Sequence, residues 1–202
     1  MSWVQILKGS IGQGDYSFEF APDIVFNLEE LFTFTVLERD QVEGCALAAA
    51  VASGNYNLWN TMYSNPYSST NQGFLINNSS TNAVERLAGV RAGVLAAQNN
   101  VYFNYADTFE PLKGISEHLR NYIYATSGGT TKDRFDSYML AGSLVGPCNI
   151  CITSYTTMLK KESAYNIEQF RDIGRIAAVI KAVSTMYPAY IPPPPQEQYT
   201  GI

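Results

Sequence analysis

Two of the three cysteines in this chain of 202 residues lie three positions apart, in the segment GPCNICITSY. Pro147 suits the first position of a helix, where its missing N–H is not needed, so we expect Cys148 and Cys151 in the first two turns. A spacing of three places both sulfurs on one helix face, close enough to form a disulfide. The partial positive charge of the helix N-terminus stabilises a thiolate at that place.

Three interpretations of this pair differ in their chemistry. The cysteines can pack as small buried hydrophobic side chains. With Cys45 and His118 they would supply four zinc ligands, but a second closely spaced pair is absent. We favour a redox dithiol, because three cysteines are too few for a structural disulfide framework. Cys45 is then expected to be a core residue, and His118 an ordinary surface or packing residue.

Two further side chains are placed to act on the pair. Tyr155 follows Cys151 by one helical turn, and Asp136 lies on the preceding helix, which must fold back against the cysteines. A charged carboxylate beside a thiol disfavours the thiolate. Asp136 therefore helps only as a proton acceptor or through a bridging group.

The surrounding segments predict an all-α fold, because their apolar residues recur with helical spacing and few segments alternate with period two. Residues 1–21 are rich in glycine and aromatic residues without a helical period, and we expect an irregular N-terminal arm. Helices follow, with Thr131 and Asn166 as N-caps of two of them. Residues 65–82 are expected to form a loop, and residues 188–202 an extended Pro-rich tail.

The helical domain, about residues 22–187, carries a weak internal repeat. RDQVEGCALAAAVASG resembles DRFDSYMLAGSLVGP, and AGVRAGVLAAQNNVY resembles IGRIAAVIKAVSTMY in the same order. We interpret this as two related halves, about 22–110 and 111–187, of which only the second has the cysteine pair. The alternative is that Ala-rich helices look alike by composition.

Composition and charge disfavour several functional classes. Hydrophobic residues make up 46% of the chain, which is ample for the core of one domain. A net charge of -5 without a basic run is poorly suited to nucleic-acid binding. No apolar run approaches the roughly 18 residues of a membrane span, and the start MSWVQILKGS lacks the pattern of a signal peptide. We expect a cytoplasmic protein that binds neither nucleic acid nor membranes.

The segments around the cysteine pair resemble a known family. DRFDSYMLAGSLVGPCNICITSY, the final helix RIAAVIKAV and the upstream segment AAQNNVYF occur in the order found in alkyl hydroperoxidase D (AhpD) proteins of the carboxymuconolactone decarboxylase superfamily. The segment DIVFNLEELFTFTVLERDQVEGCALAAAVAS is similar to the N-terminal helices of that family. The resemblance covers about residues 22–187.

This resemblance implies an all-helical fold with an internal two-fold repeat, subunits that form oligomers, often trimers, and thiol-dependent reduction of organic hydroperoxides without a bound cofactor. Cys151 matches the nucleophilic cysteine of the family, which becomes a sulfenic acid, and Cys148 matches the resolving cysteine. The resulting disulfide would be reduced by a dithiol donor such as a dihydrolipoyl protein. Some members of the family also reduce a peroxiredoxin partner.

The chain departs from the family in its proton relay, which uses a glutamate and a histidine four residues after the second cysteine. Asp136 and Tyr155 occupy these positions, and Ile150 replaces a histidine often found between the cysteines. Tyrosine has a pKa of about 10 and is a poor base at neutral pH, although Tyr155 can donate a hydrogen bond to a thiolate or a leaving hydroxide. We therefore expect a slower peroxidase.

Two alternatives follow from the altered relay. The chain would be a catalytically weakened scaffold of the same fold, or a protein that exchanges disulfides with a partner. A decarboxylase-like activity is less favoured, since such enzymes of the superfamily typically lack the CxxC pair.

Overall fold

The computed structural model describes residues 2–13, 21–65, 80–112 and 114–187. Throughout these residues the regular secondary structure is helical, which confirms the all-α prediction. The α-helices in chain order are α1 Trp3–Gln13, α2 Ala21–Glu30, α3 Arg39–Ala52, α4 Tyr56–Ser64, α5 Ser80–Thr108, α6 Tyr122–Ala125, α7 Lys132–Val145, α8 Asn149–Glu162 and α9 Ile167–Met186. None of these helices combines the length and the apolar character that crossing a bilayer requires.

The centre of the molecule is a close crossing of α3, α5 and α7, with α9 packed against α3 and α7. Small residues permit the crossing. A Cβ atom at Gly89 of α5 would lie 2.5 Å from the carbonyl oxygen of Gly44 in α3, and one at Gly142 of α7 would lie 2.7 Å from Cβ of Ala96 in α5. The Ala-rich stretch of α3 is almost entirely buried. The backbone of α5 therefore lies against both neighbouring helices.

The N-terminal prediction was wrong where the structure describes it, because residues 3–13 form the helix α1. Trp3, Leu7 and Ile11 recur at helical spacing and are buried in the core. Together they fill the space between α1 and its neighbours α2 and α4. The apolar burial outweighs the low helix propensity of Gly9, which had obscured the period.

The cap predictions are confirmed to different degrees. Asn166 caps α9, and Gln169 completes the capping box with the Asn166 backbone. Thr131 is the N-cap residue of α7, but its side chain makes no capping hydrogen bond. The loop predicted for residues 65–82 was wrong at its end, since residues 80–82 belong to α5. Residues 66–79 of that loop, and the whole tail at 188–202, lie outside the described residues.

The two-half organisation stays a prediction, although the two proposed halves share some lengths and spacings. Both α3 and α7 have 14 residues. In each half the N-cap residue of the following helix lies three positions after the last residue of α3 or α7. This residue is Asn55 before α4 and Cys148 before α8.

The close crossing predicts that Gly89→Ala destabilises the protein by about 1–3 kcal/mol, since the added methyl group must push the α3 backbone away. Gly174→Ala in α9 is the matched control. Its Cβ would meet no atom within 4 Å, so alanine should stabilise this helix by about 0.5–1 kcal/mol. Urea denaturation measures both changes, and equal stability of the two variants would contradict the crossing.

Candidate functional site

The two cysteines of the CxxC pair form a disulfide at the start of α8. Their Cα atoms are 5.2 Å apart, and both side chains are buried, Cys148 fully and Cys151 with 5% of its surface exposed. No acidic residue lies in the first turn of α8, whereas Lys160 and Lys161 lie in its last turn. The charges therefore follow the helix dipole and leave the N-terminal end positive beside the sulfurs.

The helix starts two residues later than predicted, at Asn149, so Pro147 is not its first residue. Cys148 is the N-cap residue, with an extended backbone, and its sulfur accepts a hydrogen bond of 3.3 Å from the Cys151 N–H. That N–H is one of the four at a helix start that have no partner within the helix. The sulfur takes the role that serine or asparagine usually has at this position, and Pro147 is displaced to the preceding turn.

Two asparagines of α5 hold the turn between α7 and α8. The Asn100 amide donates to the Gly142 carbonyl in the last turn of α7 at 3.2 Å. The Asn104 amide donates to the Pro147 carbonyl at 3.0 Å. A Cβ at Gly146 would lie 2.8 Å from the Asn100 amide nitrogen, so a larger residue at position 146 would displace the Asn100 side chain. These contacts fix where α8 begins.

A cleft of about 290 Å³ opens beside Cys151. Its walls come from α5, α6 and α8 and are mainly apolar or aromatic. The lining residues are Leu95, Asn99, Phe103, Asn121, Tyr124, Ile150, Cys151, Ser154, Tyr155 and Met158. The second cysteine of the pair thus faces a space that accepts a small molecule with an apolar group, while Cys148 lies behind it in the core.

Asp136 does not line this cleft. Its carboxylate is buried and forms a triangle with two other side chains. The Lys132 ammonium donates to one carboxylate oxygen at 2.5 Å and to the Tyr124 hydroxyl at 3.0 Å, and that hydroxyl donates to the other carboxylate oxygen at 3.1 Å. Burial raises the pKa of Asp136, and the hydrogen bonds from Lys132 and Tyr124 oppose the rise only in part.

Tyr155 lines the cleft beside Cys151, as its position one turn further along the helix predicted. The Asn99 side chain lies within hydrogen-bonding reach of its hydroxyl. Burial raises the pKa of Tyr155 far above its ordinary value, so the phenol is neutral at physiological pH. The structure therefore places Tyr155 near the pair, but the group that hydrogen-bonds to Asp136 and also faces the cleft is Tyr124.

The remaining candidates of the zinc interpretation do not join the pair. Among the described residues, no group of three or more His, Cys, Asp or Glu side chains could hold a metal ion. Cys45 is a fully buried free thiol that contacts the Ser137 carbonyl oxygen at 3.8 Å, which confirms the prediction of a core residue. His118 lies on the surface.

The sequence interpretation missed several residues of this site. Lys132 had a local signal, since it precedes Asp136 by four residues on one helix. Asn99 and Asn100 also had one, because two adjacent asparagines inside an Ala-rich helix are poor helix formers and indicate tertiary hydrogen bonds. Tyr124 had none, because its contact with Asp136 depends on how the short helix α6 folds back over α7.

Comparisons with known proteins agree with the resemblance. No family model matches the chain. The chain is 30% identical over 175 residues to alkyl hydroperoxide reductase AhpD of Rhodospirillum centenum, and the match covers 85% of this chain and 86% of that protein. Proteins of the same description from Coxiella burnetii and Gluconacetobacter diazotrophicus are 25% and 24% identical, over 82% of this chain and 89% and 85% of their own lengths.

The burial of the three thiols predicts different reactivities towards Ellman's reagent at pH 8. In the reduced native protein Cys151 should react first, forming a mixed disulfide with the reagent and releasing one equivalent of chromophore. Cys148 should then attack this mixed disulfide, which restores the Cys148–Cys151 disulfide and releases a second equivalent. Cys45 should not react, because burial raises its pKa to about 12.

Unfolding in guanidinium chloride should then release a third equivalent, and Cys45→Ala, the control variant, should lose only this one. Three rapid equivalents from the native protein would show that Cys45 is accessible.

Proposed function

Because this chain belongs to the alkyl hydroperoxide reductase AhpD family, we propose that it reduces organic hydroperoxides with the Cys148–Cys151 dithiol. The observation that supports this most directly is the position of the pair. One sulfur faces an apolar cleft, the other lies behind it within disulfide distance, and both are at a helix N-terminus. This arrangement suits a nucleophile that a neighbour resolves.

In the first step, the Cys151 thiolate attacks the terminal oxygen of the hydroperoxide. An S–O bond forms, the O–O bond breaks, and the alkoxide leaves with a proton as an alcohol. The sulfur is oxidised to a sulfenic acid, and the peroxide is reduced by two electrons. The partial charge of the α8 N-terminus favours the thiolate that this step needs.

In the second step, the Cys148 sulfur attacks the sulfur of the Cys151 sulfenic acid. An S–S bond forms, and the hydroxide leaves as water after taking a proton. The Cα separation of 5.2 Å in the bonded pair is within the usual range of disulfides. A dithiol donor such as a dihydrolipoyl protein then returns two electrons to the pair by thiol–disulfide exchange, and the reduced pair can pass them on to a peroxiredoxin partner.

The shape of the cleft supports organic rather than small inorganic peroxides. Leu95, Phe103, Ile150 and Met158 form an apolar wall around a volume of about 290 Å³. An alkyl or aryl group that enters this space loses contact with water, which favours binding by about 25 cal/mol for each Å² of apolar surface buried. Hydrogen peroxide gains nothing from the same wall.

We assign supporting roles to Asp136 and Tyr155. Asp136 accepts a proton through an intervening group, since it does not reach the cleft itself. Tyr155 donates a hydrogen bond to the thiolate or to the leaving oxygen, because its phenol stays neutral. The absence of a histidine beside the cysteines should make the enzyme slower than relatives that have one. Oligomer formation stays an expectation from the resemblance, and a cytoplasmic location stays an expectation from the sequence.

The second candidate function is a scaffold or disulfide-exchange protein with little peroxidase activity. Tyr155 and Ile150 favour it, because they replace the titratable side chains of the relay. The two functions differ in one observable property, which is the reaction of the reduced pair with a hydroperoxide in the absence of any partner protein.

One equivalent of cumene hydroperoxide should lower the number of free thiols in the reduced protein from three to one. Cys151→Ser should abolish the reaction. Cys148→Ser should stop it at the sulfenic acid, which dimedone captures and mass spectrometry locates at Cys151. Serine is a good N-cap, so this variant should keep the start of α8 intact.

Cys45→Ser is the matched control, since it removes a thiol outside the site and should leave the rate unchanged. A wild-type protein that keeps three thiols for hours would exclude peroxide reduction and leave disulfide exchange or the scaffold. Mixing with dihydrolipoamide separates these two, because only an exchange protein opens its disulfide rapidly.

A further inference from the structure

A tyrosine outside the cysteine helix connects the cleft to the buried carboxylate. Tyr124 lies in the short helix α6 and lines the cleft together with Cys151. Its hydroxyl donates to Asp136 at 3.1 Å and accepts from Lys132 at 3.0 Å. The described residues include no other side chain that both lines this cleft and bonds to Asp136.

From this geometry we propose that Tyr124 is the proton-relay residue of the site, carrying protons between the reacting groups in the cleft and the Asp136–Lys132 pair. The inference rests on the proposed peroxide reduction at Cys151 and adds the route of the proton. Asp136 requires a group that bridges it to the cleft, and Tyr124 has this role. Tyr155 does not, because its hydroxyl lies beside Asn99.

A phenol can relay a proton without ever becoming a free phenolate. As the Cys151 thiol gives its proton to the Tyr124 oxygen, the Tyr124 hydroxyl passes its own proton to the Asp136 carboxylate. When the alkoxide of the substrate leaves, both transfers run backwards and the alcohol is released. The net reaction moves one proton from sulfur to oxygen, and Tyr124 and Asp136 return to their starting states. The high pKa that makes tyrosine a poor base is therefore no obstacle.

The charges around Tyr124 suit this role. Asp136 and Lys132 face it from α7, the Tyr155 ring lies 6.2 Å from its ring on α8, and Glu162 acts on Asp136 from the end of α8. Burial raises the pKa of Asp136, so this carboxylate holds a proton more readily than an ordinary one. Burial also raises the pKa of Tyr124, so the phenol keeps the proton that it must pass on.

Lys132 is the solvent-exposed member of its ion pair with Asp136. Its side chain is 47% exposed, whereas that of Asp136 is 3% exposed. Its positive charge favours the ionised form of Asp136 and so offsets part of the effect of burial on the pKa of this carboxyl.

The test compares Tyr124→Phe with Tyr122→Phe, the same change at an exposed position two residues earlier in α6. Stopped-flow mixing of reduced protein with excess cumene hydroperoxide gives the second-order rate constant for thiol loss between pH 6 and pH 10. At pH 7 we expect Tyr124→Phe to be slower by about 10²-fold, the usual contribution of a positioned acid–base group. Tyr122→Phe should match the wild type.

The pH profile separates a relay from a packing role. An ordinary thiol ionises near pH 8.5, so at higher pH Cys151 loses its proton directly to solvent and the defect of Tyr124→Phe should shrink. A loss of packing would instead slow the reaction by the same factor at every pH. Asp136→Asn should show the same profile as Tyr124→Phe, and the double variant should be no slower than either single one, because both act on one path.

Three outcomes would overturn the relay. These are a Tyr124→Phe variant with the rate of the wild type, a defect of constant size across the pH range, and additive defects in the double variant. Each of them leaves peroxide reduction by the wild type intact. A wild-type protein that does not react with the hydroperoxide at all would instead overturn the proposed function, and the relay with it.

Discussion

The site depends on how closely α5 can approach α3 and α7. Glycines and alanines at the crossing remove the side chains that would separate the helices, so that the α5 backbone lies against both neighbours. Only at this distance can the short amide side chains of Asn100 and Asn104 reach the end of α7 and the turn before α8. The turn between α7 and α8 sets where α8 begins, and this fixes the position of both sulfurs. A longer helix separation would remove the hydrogen bonds from Asn100 and Asn104 to the Gly142 and Pro147 carbonyls, and with them the support of the cysteine turn.

The chemistry of the site follows from burial as much as from residue type. The same low-dielectric surroundings that make Cys45 inert also raise the pKa values of Asp136 and Tyr124. Cys45 lies inside the core, where its thiol meets a backbone carbonyl, whereas Cys151 lies at a helix N-terminus on the wall of a cleft. We therefore expect these two thiols of one chain to differ strongly in reactivity because of their positions alone. A neutral phenol beside a carboxylate suits such surroundings, because it moves a proton without separating charge.

Much of the fold and part of the site could be predicted from the sequence. Local signals were sufficient for the capping box of Asn166, the Ala-rich helix around Cys45 and the position of the cysteine pair at a helix start. Predictions failed where tertiary packing overrides propensity, as for α1, and where a sulfur replaced the usual capping oxygen, as at Cys148. Tyr124 could not be predicted, because nothing in its own segment encodes the fold of α6 over α7.

The capping role of Cys148 also explains how a redox pair fits into this fold without new backbone geometry. Asn55 is the N-cap of α4, and its side-chain oxygen accepts the Leu58 N–H at 3.0 Å. Cys148 is the N-cap of α8, and its sulfur accepts the Cys151 N–H in the same register. At each of these helix starts the N-cap side chain accepts the N–H of the residue three positions later, and the side chain of that residue lies beside the cap. Where both positions are cysteine, the geometry that satisfies the helix also brings two sulfurs within bonding distance, so capping and disulfide formation use one arrangement of the backbone.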